Sequence, residues 1–146
     1  MDTYEMFHDI LVNLFNEIMD IEGKAIITEE FKDITNNDMH VIEAIGQEEA
    51  RNMSSVARDL GVTVGTLTIA VNNLVKKGYV KRERSQKDRR VVLISLTGKG
   101  NRAFEHHKKF HQEMIHATID DLSQEETKVL VGALSHLREF FRNYGK

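Results

Sequence analysis

The 146-residue chain contains no cysteine, which excludes disulfides, thiol redox sensing and cysteine nucleophiles together. Proline is also absent, and there is no low-complexity tract and no repeat at solenoid spacing. No apolar run approaches the roughly 20 residues that cross a bilayer. The opening "MDTYEMFHDI" is acidic and amphipathic, without the basic start and apolar centre of a signal peptide. These absences lead to the expectation of a cytoplasmic protein without a membrane partner. Catalytic signatures are missing too. There is no H-E-x-x-H and no phosphate-cradling glycine loop. The histidines of His111-Gln-Glu-Met-Ile-His116 are five apart, off a common helical face. Neither an enzyme nor a cofactor is expected.

Positive charge is scarce overall but concentrated in one place. The net charge is −3, yet Lys76 to Arg102 holds ten basic residues against Glu83 and Asp88, a local +8. The rest of the chain therefore carries −11. A basic block in an acidic protein focuses a positive field on one surface, as a polyanion-binding site requires.

Apolar spacing outlines the elements. Phe7, Ile10, Leu11, Leu14, Phe15, Ile18 and Met19 follow the i, i+3, i+4, i+7 rule of a first helix of about five turns. A short second helix is expected over Lys24 to Phe31. A third starts at a Thr35 cap, with Asp38 favouring its dipole, and ends at Gly46. Two short helices follow in tight succession, one from Ser54 or Ser55 to Leu60, the other from Thr63 to Lys77. The latter buries Leu67, Val71 and Leu74. Together they read as a helix-turn-helix. "YVKRER", "SQKD" and "RRVVLISL" then read as strand, turn and strand, which turns the motif into a winged helix with its charge on the wing. Helical periodicity returns in Ala103, Phe104, His107, Phe110, His111, Met114 and Thr118. A Ser123–Glu126 capping box opens a final helix burying Leu130, Leu134, Leu137, Phe141 and Tyr144. The expected fold is mainly α with a small β-hairpin wing, in a single domain, 1–146. Its winged core is 35–97, and the apolar helices of 1–34 and 98–146 pack together and against a second copy.

The segment "VTVGTLTIAVNNLVKKGYVKRERSQKDRRVVLISLTGKG" resembles the winged-helix core of the MarR family of bacterial transcription regulators. The shared features are the T-x-T helix, L-x-x-K-G-Y-V, a basic strand, D-x-R and L-T-x-K-G. That resemblance implies a homodimer on an inverted repeat of double-stranded DNA, each recognition helix in a major groove and each wing reaching a minor groove. "FKDITNNDMHVIEAIG" and "HHKKFHQEM" further resemble the fatty-acid-synthesis repressors of that family, which implies acyl-acyl carrier protein as co-repressor.

The candidate DNA-contacting residues divide by chemistry. Lys76, Lys77, Lys81, Arg82, Arg84, Lys87 and Arg89 suit phosphates. Ser54, Ser55, Thr63, Thr66, Thr68 and Asn72 offer short polar side chains, and Ser85 lies in the turn. Thr methyls suit thymine methyls, and Asn72 suits either an adenine edge or a phosphate. The helix has no Arg to read guanine, which favours A·T-rich half-sites and shape readout. Gly65 allows close approach of backbone to DNA or is merely tolerated near a helix start. By the family pattern, Arg90 enters the minor groove while Asp88 fixes its guanidinium; otherwise Asp88 only closes an Asx-type turn.

An acyl chain needs a long apolar tunnel, for which Leu11, Leu14, Phe15, Ile18, Met19 and Phe31 face Phe110 and Met114, with His40 or His107 at the mouth. Lys99 and Arg102 are the nearest basic partners for an acidic carrier. His107 and His111 at i, i+4, with His40 elsewhere, are able to bind zinc. Zinc-sensing family members add an acidic residue before the equivalent of His40, where this chain has Met39, and often a cysteine. The expectation is therefore no metal, with a sensor of zinc or another small ligand as the alternative. A winged helix used only for protein contacts is the alternative from another class.

Overall fold

A computed structural model describes residues 2–146. The chain divides into two compact units, 1–108 and 109–146.

In the first unit, a capping box between Asp2 and Glu5 opens α1 (Thr3–Asp9). The helix then widens into a π turn at Ile10–Leu14 and continues as α2 (Phe15–Ile26). The expected uninterrupted helix is thus broken by a wider turn, an irregularity that re-spaces side chains along one face. The second helix expected over 24–31 does not form. Ile26, Ile27 and Thr28 are β-branched and favour helix poorly, and Ile27 is already extended (φ −79°, ψ 114°). Thr28 then captures the Phe31 N–H with its carbonyl (3.2 Å) and its hydroxyl (3.3 Å). That local turn competes with helix and drops Phe31 and Ile34 into the core.

α3 (Asn36–Ile45) begins at the Thr35 cap, with Asp38 closing a reciprocal capping box. α4 (Met53–Leu60) starts one or two residues before the expected serines, because Asn52 caps it by accepting from the Ser55 N–H. Gly61 ends α4 at φ 68°, a left-handed conformation that glycine adopts without steric cost, and α5 (Val64–Lys77) follows after a three-residue turn. Leu67, Val71 and Leu74 of α5 are fully buried, as their spacing predicts, against Val56 of α4 and Met39 and Ile42 of α3.

β2 (Val80–Arg84) and β3 (Val92–Leu96) form the antiparallel wing, in register from Val80↔Leu96 to Arg84↔Val92. A two-residue strand that the sequence did not suggest, β1 (Arg51–Asn52), pairs with the other edge of β3 to give the order β1-β3-β2. α6 (Gly98–Ile119) starts where β3 leaves the sheet.

The second unit holds the later part of α6 and α7 (Gln124–Asn143). The Ser123–Glu126 capping box opens α7 as expected. Backbone bonding to Glu126 from Ser123 holds that carboxyl below its usual range. Of the side chains expected inside this helix, Leu130 and Leu137 are half-buried, whereas Leu134, Phe141 and Tyr144 are 52%, 63% and 75% exposed in the single chain. No helix of the described residues is long and apolar enough to cross a membrane.

Candidate nucleic-acid interface

One face of α5 is bare. Gly65, Ile69, Asn72 and Lys76 recur at helical spacing and all are exposed, with Thr66 and Asn73 beside them. The opposite face is locked in the core, so the helix presents this surface rigidly. Thr63 serves as the cap: its hydroxyl accepts from the Thr66 N–H and donates to the Thr66 hydroxyl. Thr68 donates to the Val64 carbonyl at 2.8 Å and is half-buried. Around Gly65 there is open space, since an added Cβ would meet only the Thr63 hydroxyl at 3.9 Å.

Ser54 is exposed at the start of α4, whereas Ser55 accepts from Arg51. Arg51 was not among the sequence candidates. It also donates to the Ala44 carbonyl and to Asp59, tying the end of α3 to α4. Its partners lie seven residues back in α3 and four and eight ahead in α4, a pattern that no single periodicity displays. Ile69 was missed as well. It is apolar and 74% exposed in the middle of the bare face, and its signal was its position one turn after Gly65.

On the wing, Lys81, Arg82, Arg84, Lys87, Arg89 and Arg90 are exposed. Asp88 grips Arg90 with both oxygens, Oδ1 to Nε and Oδ2 to Nη2, each 3.1 Å. The same Oδ1 accepts from the Arg90 N–H at 3.1 Å. Fixation of the guanidinium and the Asx-type turn therefore coexist. The Arg90 guanidinium also holds the Asp88 carboxyl below the usual carboxylate range. Arg84 donates to the Arg89 carbonyl at 2.8 Å, and the Ser85 hydroxyl accepts from the Asp88 N–H at 3.4 Å. Turn and tip are thus braced by the side chains that carry the charge. Arg82 reaches back from β2 and donates to the amide oxygen of Asn72 on α5.

Lys77, expected at a phosphate, is a structural group instead. Its ammonium pairs with buried Asp38 at 2.9 Å and donates to the Asp33 carbonyl at 2.6 Å. Lys99 and Arg102 are likewise engaged. Lys99 sits 4.4 Å over the Tyr79 ring and donates to the Lys77 carbonyl, while Arg102 pairs with Glu30.

The candidate ligand residues are spread. Leu11, Leu14, Phe15 and Met19 are between 36% and 54% exposed, Ile18 is half-buried, and Phe31 is buried against His106, with ring centroids 5.8 Å apart. His40 is exposed on α3. His107 is buried, with its Nε2 3.2 Å from Glu22 of α2 and 2.7 Å from Glu43 of α3. In the second unit His111 and Phe110 are half-buried, their rings 6.0 Å apart, and Met114 is exposed.

A helix-turn-helix with one bare polar face, followed by a basic hairpin whose tip arginine is held by an aspartate, is a winged-helix DNA-binding domain. The comparisons agree with that class. Residues 24–107 match the family described as transcriptional regulator SarA/Rot. The chain is 36% identical over 105 residues to the regulator SarZ of Staphylococcus haemolyticus, covering 72% of this chain and 70% of that one. It is 27% identical over 148 residues to the regulator PchR of Bacillus subtilis, covering 92% and 87%. The crystal structure of Streptococcus pneumoniae FabT in complex with DNA is similar at 39% identity, with a TM-score of 0.84 over 96% of this chain and 98% of that one. The chain belongs to the MarR family of winged helix-turn-helix regulators. As such it is a DNA-binding, dimeric transcriptional repressor and not an enzyme.

Proposed function

We propose that this repressor controls fatty-acid synthesis genes, binds an A·T-rich inverted repeat, and takes long-chain acyl-acyl carrier protein as its co-repressor. The likeness to FabT over nearly the whole of both chains carries the reading. The wing supports the A·T preference. A narrow A·T minor groove concentrates negative potential, and an arginine already oriented by Asp88 enters it with little conformational entropy left to lose. The open stripe of Leu11, Leu14, Phe15 and Met19 supports an apolar ligand, and methionine lets such a wall adapt to different chains.

A co-repressor binds the DNA-competent form better than the other, so DNA and ligand strengthen each other's binding by the same factor. The experiment measures operator affinity with apo-carrier, long-chain acyl-carrier and zinc. Tightening by the acyl form alone is the expected result.

A second reading has one observation in its favour. Two carboxylates from different helices converge on buried His107, a donor set that a divalent metal accepts. Tightening by zinc that disappears in His107→Ala would replace the acyl reading with metal sensing.

A further inference from the structure

Asn72 and Arg82 belong to different elements, α5 and β2, yet they are hydrogen-bonded on the exposed face of the recognition helix. A guanidinium has five N–H donors and no acceptor. The Asn72 atom that faces Arg82 must therefore be the amide oxygen, and the amide NH2 is turned away from it. Reading adenine with both ends of an asparagine needs an oxygen to accept from N6 and an NH2 to donate to N7. Here a charged donor takes one of the two lone pairs of that oxygen, charge-assisted hydrogen bonds are the strong ones, and the groups beside it are the remaining N–H donors of Arg82 and the Asn72 NH2.

We propose that Arg82 and Asn72 act as one specificity-determining pair that presents mainly donors to the major groove and selects a guanine in each half-site. Among the bases, guanine alone shows two acceptors there, N7 and O6, with no donor between them. The recognition helix carries no arginine of its own; the strand that follows it supplies one. Asn72 shares its face with Gly65, Ile69 and Lys76, the face that the core leaves bare. An otherwise A·T-rich site would thus carry one obligatory G·C pair per half. The inference rests on the DNA-binding reading and sharpens its base specificity.

The test selects duplexes from a randomised pool with the full-length protein and with Asn72→Ala, Arg82→Ala, the double variant carrying both alanines, and Arg82→Lys. Both side chains are exposed, so thermal unfolding should show all four variants folded. The expected result is one invariant guanine per half-site for the wild type. Replacing that base by 7-deazaguanine should cost about tenfold in affinity, as loss of part of a bidentate contact does. Both alanine variants should relax the same position, and the double variant should be no worse than either single one. Arg82→Lys, which keeps the charge but not the planar fork, should also relax it. Selection of adenine there, or a loss in Arg82→Ala that is uniform across all duplexes, overturns the pair and leaves the DNA-binding reading standing. No selected duplex bound above random sequence overturns both.

Discussion

Gly65 separates two demands on a single residue. Near the start of a helix it lowers stability by about 1 kcal/mol relative to alanine. Nothing in the protein would obstruct a Cβ there, so packing does not require the glycine. Gly65→Ala should therefore raise the unfolding free energy by about 1 kcal/mol. It should weaken operator binding if the helix backbone lies against DNA. A more stable variant with unchanged affinity, measured by denaturant unfolding and fluorescence anisotropy, would show that the backbone keeps its distance. Arg90 and Lys81 make a second contrast at this scale. Arg90→Ala should cost about 1–3 kcal/mol of operator binding and lose the A·T preference under the wing, whereas Lys81→Ala should weaken all duplexes alike and lower the salt slope by about one. Identical behaviour across sequences would abolish the distinction between reading and positioning.

Between elements, one network around buried Tyr79 explains a motif that the sequence displayed only as a string. In K-G-Y-V, Gly78 ends α5 and Tyr79 turns inward, with its hydroxyl donating to Asp33 at 2.8 Å. In L-T-x-K-G, Leu96 is buried, Thr97 donates to the Gly78 carbonyl and accepts from the Gly100 N–H, and Lys99 covers the Tyr79 ring. Gly100 lies so close to the Tyr79 carbonyl that a Cβ would come within 2.1 Å of its oxygen. Gly100→Ala must push α6 away from the strand, at roughly the 1–3 kcal/mol cost of an overpacked site. Titration reports on the same network. The Tyr79 hydrogen bond, aided by Lys99 and Lys77, holds Asp33 below its ordinary 3.8. A depressed carboxylate contributes stability that is present above its unfolded value and lost as pH falls through the folded one. Burial and the Asp33 bond raise Tyr79 far above its ordinary 10.0, so its contribution is present below pH 10 and lost as pH climbs beyond. Asp33→Asn should flatten the fall in stability below about pH 4, measured by urea unfolding as a function of pH; an unchanged acid limb would remove Asp33 from the account.

The same elements show what the sequence made legible. Period and caps placed α3, α5 and α7, because burial at i, i+4 and i+7 and a Ser or Thr three residues before an acid are local signals. The Asp88–Arg90 contact was legible from the resemblance to the D-x-R pattern, not from period or caps. Lys77 was misjudged because its partners lie 39 and 44 residues away, and a lysine looks the same whether it neutralises a phosphate or a buried aspartate. Arg82 on Asn72 was invisible for a related reason: the two lie ten residues apart on different elements.

At the scale of the whole molecule, the +8 segment and the −11 remainder direct DNA to one surface and repel it elsewhere. The remaining surface carries a second demand. Tyr4, Phe7 and Ile10 in the first unit, and Val129, Leu134, Phe140, Phe141 and Tyr144 in the second, are each about half exposed or more in the single chain. Apolar exposure on this scale calls for a covering surface, and we propose that the second protomer of the dimer supplies it. DNA geometry requires the same association, because half-sites one helical turn apart, about 34 Å, need two recognition helices at fixed separation. A monomer loses the benefit of tethering, which raises apparent affinity by about 10²–10⁴-fold when both halves engage. Leu134→Glu with Phe141→Glu should therefore give a folded monomer by sedimentation, with operator affinity lower by about that factor but with unchanged contacts on an isolated half-site. Removal of Val129 to Lys146 should abolish tight binding to the inverted repeat in the same way. A charged variant that still sediments as a dimer and binds with full affinity would move the interface off α7, and leave the first helix to hold the two wings in register.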